Sequence, residues 1–189
     1  LSASNSITLE STHEQRVSGQ INAKESFNLT AQKLTVVTNS GSGHDLDGVT
    51  VSEELLANIG AKHQILKSRS ELTFLGDVNL DNERVTLDTP ELVAGVDGSN
   101  LVISGSEQLV LSNSSGSLVE AATVGNSSLT LQSNQILMQG GTDQLAQVTL
   151  SGFDSVTLKR TSDQVAVVKA EGQLAVDAGD AELAIQSDG

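Results

Sequence analysis

The 189-residue chain has no cysteine, tryptophan or tyrosine, and only three Phe, one Met and one Pro. Each absence closes off some chemistry. Without cysteine there is no disulfide framework, no thiolate zinc site and no thiol nucleophile. Aromatics at 2% leave little to span the ~10 Å between the sheets of a sandwich, and offer no platforms for sugars. Basic residues are scarce: Lys and Arg number 10 against 24 Asp and Glu, giving a formal charge of −14. Phosphate neutralisation needs the opposite balance, so no nucleic acid is expected as a partner. No apolar run approaches the ~18 residues of a membrane-spanning helix, and no membrane insertion is expected. Leu1 is not an initiator Met and no basic-then-apolar leader follows it. The chain therefore reads as a mature product or a piece of something longer.

What is present is aliphatic and repetitive. Near the C-terminus Ser155-Val156-Thr157-Leu158, Gln164-Val165-Ala166-Val167, Gln173-Leu174-Ala175-Val176 and Glu182-Leu183-Ala184-Ile185 begin nine residues apart. Each unit alternates polar and apolar, the mark of a short strand with one buried face. Val165, Val167, Leu174, Val176, Leu183 and Ile185 are expected inward, with Ala166, Ala175 and Ala184 outward. The unit recurs upstream at looser spacing, as in Ile7-Thr8-Leu9, Leu34-Thr35-Val36, Leu72-Thr73-Phe74, Leu101-Val102-Ile103 and Leu129-Thr130-Leu131. Ser52 to Ile59 comes nearest to a helix, with Glu53, Glu54, Leu55, Leu56 and Ala57. It is too short for a three-turn apolar stripe, and no helix is expected there.

Many short strands with small turns pack as an antiparallel sandwich or as a parallel solenoid. Poverty in aromatics, few Asn-Gly-type hairpin signals and the steady nine-residue phase all favour the solenoid. The expected fold is all-β, a parallel β-helix over residues 1–189 as one segment, with about 18–20 residues per coil and ~4.8 Å added by each. No capping helix is evident beyond Ile185. Open coils at the ends are expected to continue covalently or to self-associate end to end.

Stretches such as Gly125-Asn126-Ser127-Ser128-Leu129-Thr130-Leu131-Gln132-Ser133-Asn134-Gln135-Ile136-Leu137-Met138-Gln139-Gly140-Gly141 and Leu101-Val102-Ile103-Ser104-Gly105 resemble the coils of filamentous-haemagglutinin-like exoproteins of two-partner secretion. The resemblance covers most of residues 72 to 189. It implies a right-handed parallel β-helix, secreted to the cell surface through an outer-membrane partner, acting as a rod or adhesin towards a host or cell surface. The Asn-Pro-Asn-Gly type motif of that family's secretion domain is absent. Ser6-Ile7-Thr8-Leu9-Glu10-Ser11 and Gln32-Lys33-Leu34-Thr35-Val36 equally resemble trimeric phage-tail or secretion-spike shafts, so a filament subunit is the alternative reading.

Chemistry-bearing groups are sparse. His13, His44 and His63 lie far apart and in no ligand spacing. Gly43-His44-Asp45-Leu46-Asp47-Gly48 is the richest loop. Asp45 and Asp47 resemble the start of a calcium loop, but no third Asp and no bidentate Glu follow. A plain turn is the expected reading, with calcium the one cofactor the sequence offers and His44, Asp45 and Asp47 the binding-loop candidates. Thr sits at the centre of eight units: 8, 35, 50, 73, 86, 130, 149 and 157. Their irregular spacing implies no continuous threonine ladder. A polysaccharide-processing β-helix enzyme is the third reading. Scattered carboxylates and four Arg give it no constellation, so no catalytic residue is expected. Lys62, His63, Lys67 and Arg69 cluster, and are read as a solvated face.

Overall fold

A strand of alternating Leu, Val and Ile satisfies its backbone only beside a neighbour, and one face must find a core. The computed structural model shows how this chain meets both demands. It describes residues 1–38, 47–119, 121–140, 146–159, 167–171, 174–177 and 182–186, the last three stretches by their backbone pairing.

The chain opens with β1 (Ser2–Ala3), β2 (Ser6–Ser11), β3 (Gln15–Val17), β4 (Asn22–Ala23) and β5 (Ser26–Val37). After β6 (Val49–Ser52) and helix α1 (Glu53–Asn58) come β7 (His63–Leu75), β8 (Val78–Asp88), β9 (Glu91–Ala94) and β10 (Asn100–Ser112). The remainder is β11 (Ser127–Ser133), β12 (Gln135–Gln139), β13 (Ala146–Ser151), β14 (Phe153–Lys159), β15 (Val167–Glu171), β16 (Leu174–Asp177) and β17 (Glu182–Gln186). Among the described residues every strand pair is parallel. The all-β expectation and the parallel pairing are both met.

The registers sort into three ladders. The first joins β1 to β4 and, further on, the start of β8 to the start of β10, then β11, β14 and β17. A second runs through β2, the first halves of β5 and β7, the ends of β8 and β10, then β12 and β15. The third takes β3, β6, the ends of β5 and β7, then β9, β13 and β16. β5, β7, β8 and β10 each serve two ladders, which is why they run to 11–13 residues. Two of the crossings are marked by register shifts, at Ala31/Lys33 and Gly105/Gln108.

Period 2 fixes what each ladder buries. Leu101, Ile103, Leu129, Leu131 and Val156 are at most 1% exposed, whereas Val102 and Thr130 between them are half-buried. The core is one continuous stack of such Leu, Val and Ile side chains, with Phe27, Phe74 and Phe153 among them.

The repeat length differs from the 18–20 residues expected. Ser6 pairs with Ser26, a step of 20, but Leu109 pairs with Ile136 and Asn100 with Ser128, steps of 27 and 28. The nine-residue phase does not hold through β15: Val167, expected inward, pairs with Gln135, and it is Val168 that stands in register with the buried Ile136, so the equivalent positions are 156, 168, 174 and 183. β14, β15, β16 and β17 fall on the first, second, third and again the first ladder. Three strands, one from each ladder, make one step. Leu183 and Ile185 accordingly pair in register with the buried Val156 and Leu158. The side chains of residues 165–185 lie outside the described ones, as do those of the three alanines expected to face outward.

One further expectation is corrected. Residues 53–58 do form a helix: Ser52 Oγ accepts from Leu55 N at 3.2 Å, Glu53 and Glu54 fill the first turn, and Leu56 is fully buried. A good cap and tertiary burial replace the missing turns. The threonines form no continuous ladder, only two short runs where unequal step lengths bring unequal spacings into register. Thr50, Thr35 and Thr73 are adjacent rungs, and so are Thr130 and Thr157. Thr35, Thr50 and Thr73 are only 2%, 9% and 8% exposed, so the outer side of the third ladder is covered there.

Candidate binding cleft

β6 enters the third ladder out of order. Gln15–Val17 pair with Val49–Val51, which pair in turn with Leu34–Val36, so a later strand lies between two earlier ones. The approach is tight. Gly48 has φ of +88°, and a Cβ there would stand 2.3 Å from Lys33 O. Only glycine fits such a backbone contact. Gln15 N completes the junction by donating to Gly48 O at 2.9 Å.

Inserting a rung on one ladder displaces the turn that follows β3. Between that turn and α1 opens a cleft of about 480 Å³, lined by Arg16, Val17, Ser18, Gly19, Gln20, Ile21, Val37, Thr50, Ser52, Glu54, Leu55 and Asn58. Val17, Ile21, Val37 and Leu55 supply aliphatic surface. Arg16 and Glu54 supply opposite charges, both exposed. α1 is fixed from the far side: Gln64 Nε2 donates to Leu56 O at 2.7 Å, and Glu53 Oε1 accepts from Asn79 N at 2.9 Å. Gln64 stands in register between Phe27 and Val85 at a core position and is 4% exposed. A buried amide is tolerable there because it satisfies a carbonyl at the helix end.

A second, shallower groove of about 600 Å³ lies where β2 gives way to β3, lined by Thr12, His13, Glu14, Gln32, Lys33, Asp47, Gly48 and Ser70. It contains Asp47, the one binding-loop candidate among the described residues. His44 and Asp45 lie outside them, and with them the calcium reading. Among the described residues no three His, Asp or Glu side chains gather as a metal site. His13 Nδ1 meets Thr12 Oγ1 at 3.1 Å, and Lys33 pairs with Glu71 at 3.0 Å.

The basic cluster of the sequence is divided among acids on other rungs. Lys62 pairs with Glu25 at 3.6 Å, Lys67 with Asp88 at 3.0 Å and Arg69 with Glu10 at 2.7 Å. His63 contacts Thr86 Oγ1 at 2.8 Å, and burial together with the nearby Arg84 charge holds its pKa below the usual 6.5. Lys67, Asp88 and Ser114 form the densest polar knot. Lys67 Nζ donates to Ser114 Oγ, and Asp88 accepts from Ser114 N at 2.7 Å and from Ser114 Oγ. Burial pushes the Asp88 carboxyl up, but the Ser114 donors and Lys67 outweigh it and hold the pKa below 3.8. The knot ties rungs together; its hydroxyl is spent on a carboxylate that stays ionised.

Sequence reasoning did not single out Arg16 or Glu54, because their proximity depends on β6 lying between β3 and β5. The one local signal was the acidic pair after Ser52, which marks a helix start. Comparison with family models, with curated proteins and with solved structures finds no match for this chain.

Proposed function

We propose that the three ladders are the walls of a right-handed parallel β-solenoid, and that the chain is a structural or adhesive segment of a secreted, surface-exposed rod. The observation that carries this is the repeated stacking of parallel rungs on three ladders around one aliphatic core. Such a body gains length at ~4.8 Å per rung and resists bending, because each rung shares backbone hydrogen bonds with the next. Right-handed connection is the strong preference of parallel strands joined by crossovers. Ion pairs between rungs, such as Arg69–Glu10 and Arg84–Glu107 at 2.8 Å, add cross-links along the outside.

Two measurements test the reading. Small-angle scattering should give an elongated particle of uniform cross-section; a spherical profile contradicts the solenoid. Beads coated with the purified chain should adhere to cell or matrix surfaces above beads carrying an unrelated β-protein of equal charge. Equal adhesion removes the adhesive role and leaves a purely structural one.

A further inference from the structure

Of the two concavities described, only the one beside α1 joins aliphatic side chains to charges of opposite sign. We propose that the cleft between β3 and α1 binds a short peptide with free termini and aliphatic side chains. Its volume of about 480 Å³ lies in the range of ~300–1,000 Å³ typical of ligand sites. Val17 and Leu55, both half-buried, supply its aliphatic surface, backed by the buried Ile21 and Val37.

Two opposite charges line the cleft and neither is spent. Arg16 and Glu54 form no ion pair with each other or with any described residue; of the other described Lys and Arg, Lys33, Lys62, Lys67, Arg69 and Arg84 have an acidic partner, and Lys24 and Lys159, which do not line the cleft, have none among the described residues. A molecule with an anion at one end and a cation at the other answers both. Its carboxylate meets the Arg16 fork, which suits two parallel hydrogen bonds. Its ammonium meets the Glu54 carboxylate. Asn58, whose Nδ2 already donates to Glu54 O at 2.8 Å, has its Oδ1 left to accept a peptide N–H.

Other ligand classes fit less well. No aromatic side chain lines the cleft to stack on a sugar ring or a base. A polyanion meets a chain of charge −14. A purely apolar ligand would desolvate both charges without pairing either.

The test uses the dipeptide Leu-Leu and the full chain with labelled methyl groups. Titration should produce saturable shifts at the methyls of Val17, Ile21, Val37 and Leu55, and not at those of Leu129 or Leu131 in the far core. Leu-Leu blocked as its N-acetyl amide should bind at least about tenfold more weakly, and Arg16→Ala should weaken the free dipeptide to a similar degree. Arg16→Lys should recover part of the loss. Both charged residues are exposed, so the variants are expected to fold, and circular dichroism checks that. Absence of saturable shifts at millimolar dipeptide overturns the proposal. So does equal affinity for the blocked and free dipeptides, or undiminished binding by Arg16→Ala.

Discussion

Along the third ladder two places break the regular succession, in opposite senses. Near the start, β6 is added between β3 and β5. Further on, residues 117–119 and 121–126 contribute no strand, and β9 pairs directly with β13 at Glu91–Val93 and Thr149–Ser151. The added rung is buried, with Val49 and Val51 at 1% and 0% exposed; the omitted one is turned out, with Leu118 and Val124 at 70% and 79%. Similar aliphatic residues thus meet opposite fates. What differs is the slot. Asn113 Nδ2 donates to both Gln147 O in β13 and Ser117 O, at 2.7 and 2.8 Å. This draws β13 towards the corner after β10 and leaves the intervening chain outside. One rung gained and one lost keep the third ladder level with the second, so the two irregularities compensate.

Charge placed at each site should show the difference most strongly. Val51→Asp buries an unpaired carboxylate and should cost roughly 3–5 kcal/mol in urea unfolding. Val124→Asp should stay within about 0.5 kcal/mol. Comparable losses at both would mean that the omitted segment is packed after all.

Glycine substitutions separate the two regions by a smaller margin. Gly48→Ala adds a Cβ where Lys33 O stands at 2.3 Å, on a backbone of φ +88°, and should cost about 2–4 kcal/mol. Gly116→Ala, at φ +69° with nothing within 4 Å, should cost only about 1 kcal/mol. A mild effect at Gly48 would argue that β6 can shift without penalty.

Gln64→Leu preserves bulk at the core position but deprives Leu56 O of its 2.7 Å donor. A loss of about 1–2 kcal/mol is expected, with α1 amides exchanging faster and β10 and β11 amides unchanged. Uniform faster exchange across the molecule would deny the helix its local dependence on Gln64.

The smallest effects are those of acid. His63 has a folded pKa below 6.5, so the unfolded chain takes up its proton first. Its contribution is complete above that value and drains as pH falls through the folded one. Asp88, held below 3.8, behaves in the same sense in a lower window, full above 3.8 and lost as pH drops through its folded value. His63→Gln should flatten the upper part of the pH–stability curve and Asp88→Asn the lower. If either variant leaves its window unchanged, the pairings with Thr86, Ser114 or Lys67 contribute nothing measurable.

Much of the fold could be read in advance, and particular residues show why. Leu129-Thr130-Leu131 announces its own inward and outward faces, because a strand alternates whatever it pairs with. The scarcity of aromatics and hairpin signals pointed to parallel stacking for the same kind of local reason. The helix at 53–58 was misjudged because two turns carry too little pattern, while its cap and its Gln64 partner lie outside them. Of the binding-loop candidates only Asp47 is described, and it lies in the shallower groove, away from Arg16 and Glu54.

The sequence by itself determined the alternation and the aliphatic core, both of which depend on residues a few places apart. It did not determine which unit lies beside which. Backbone hydrogen bonds between parallel strands carry no side-chain address, and closing a loop costs only about 0.6 kcal/mol more for each doubling of its length. Steps of 20 and of 28 residues are therefore nearly equivalent in entropy, and packing alone chose between them. The same freedom let β6 return to an earlier level, set Thr50 beside Thr35, and brought Arg16 and Glu54 to one cleft.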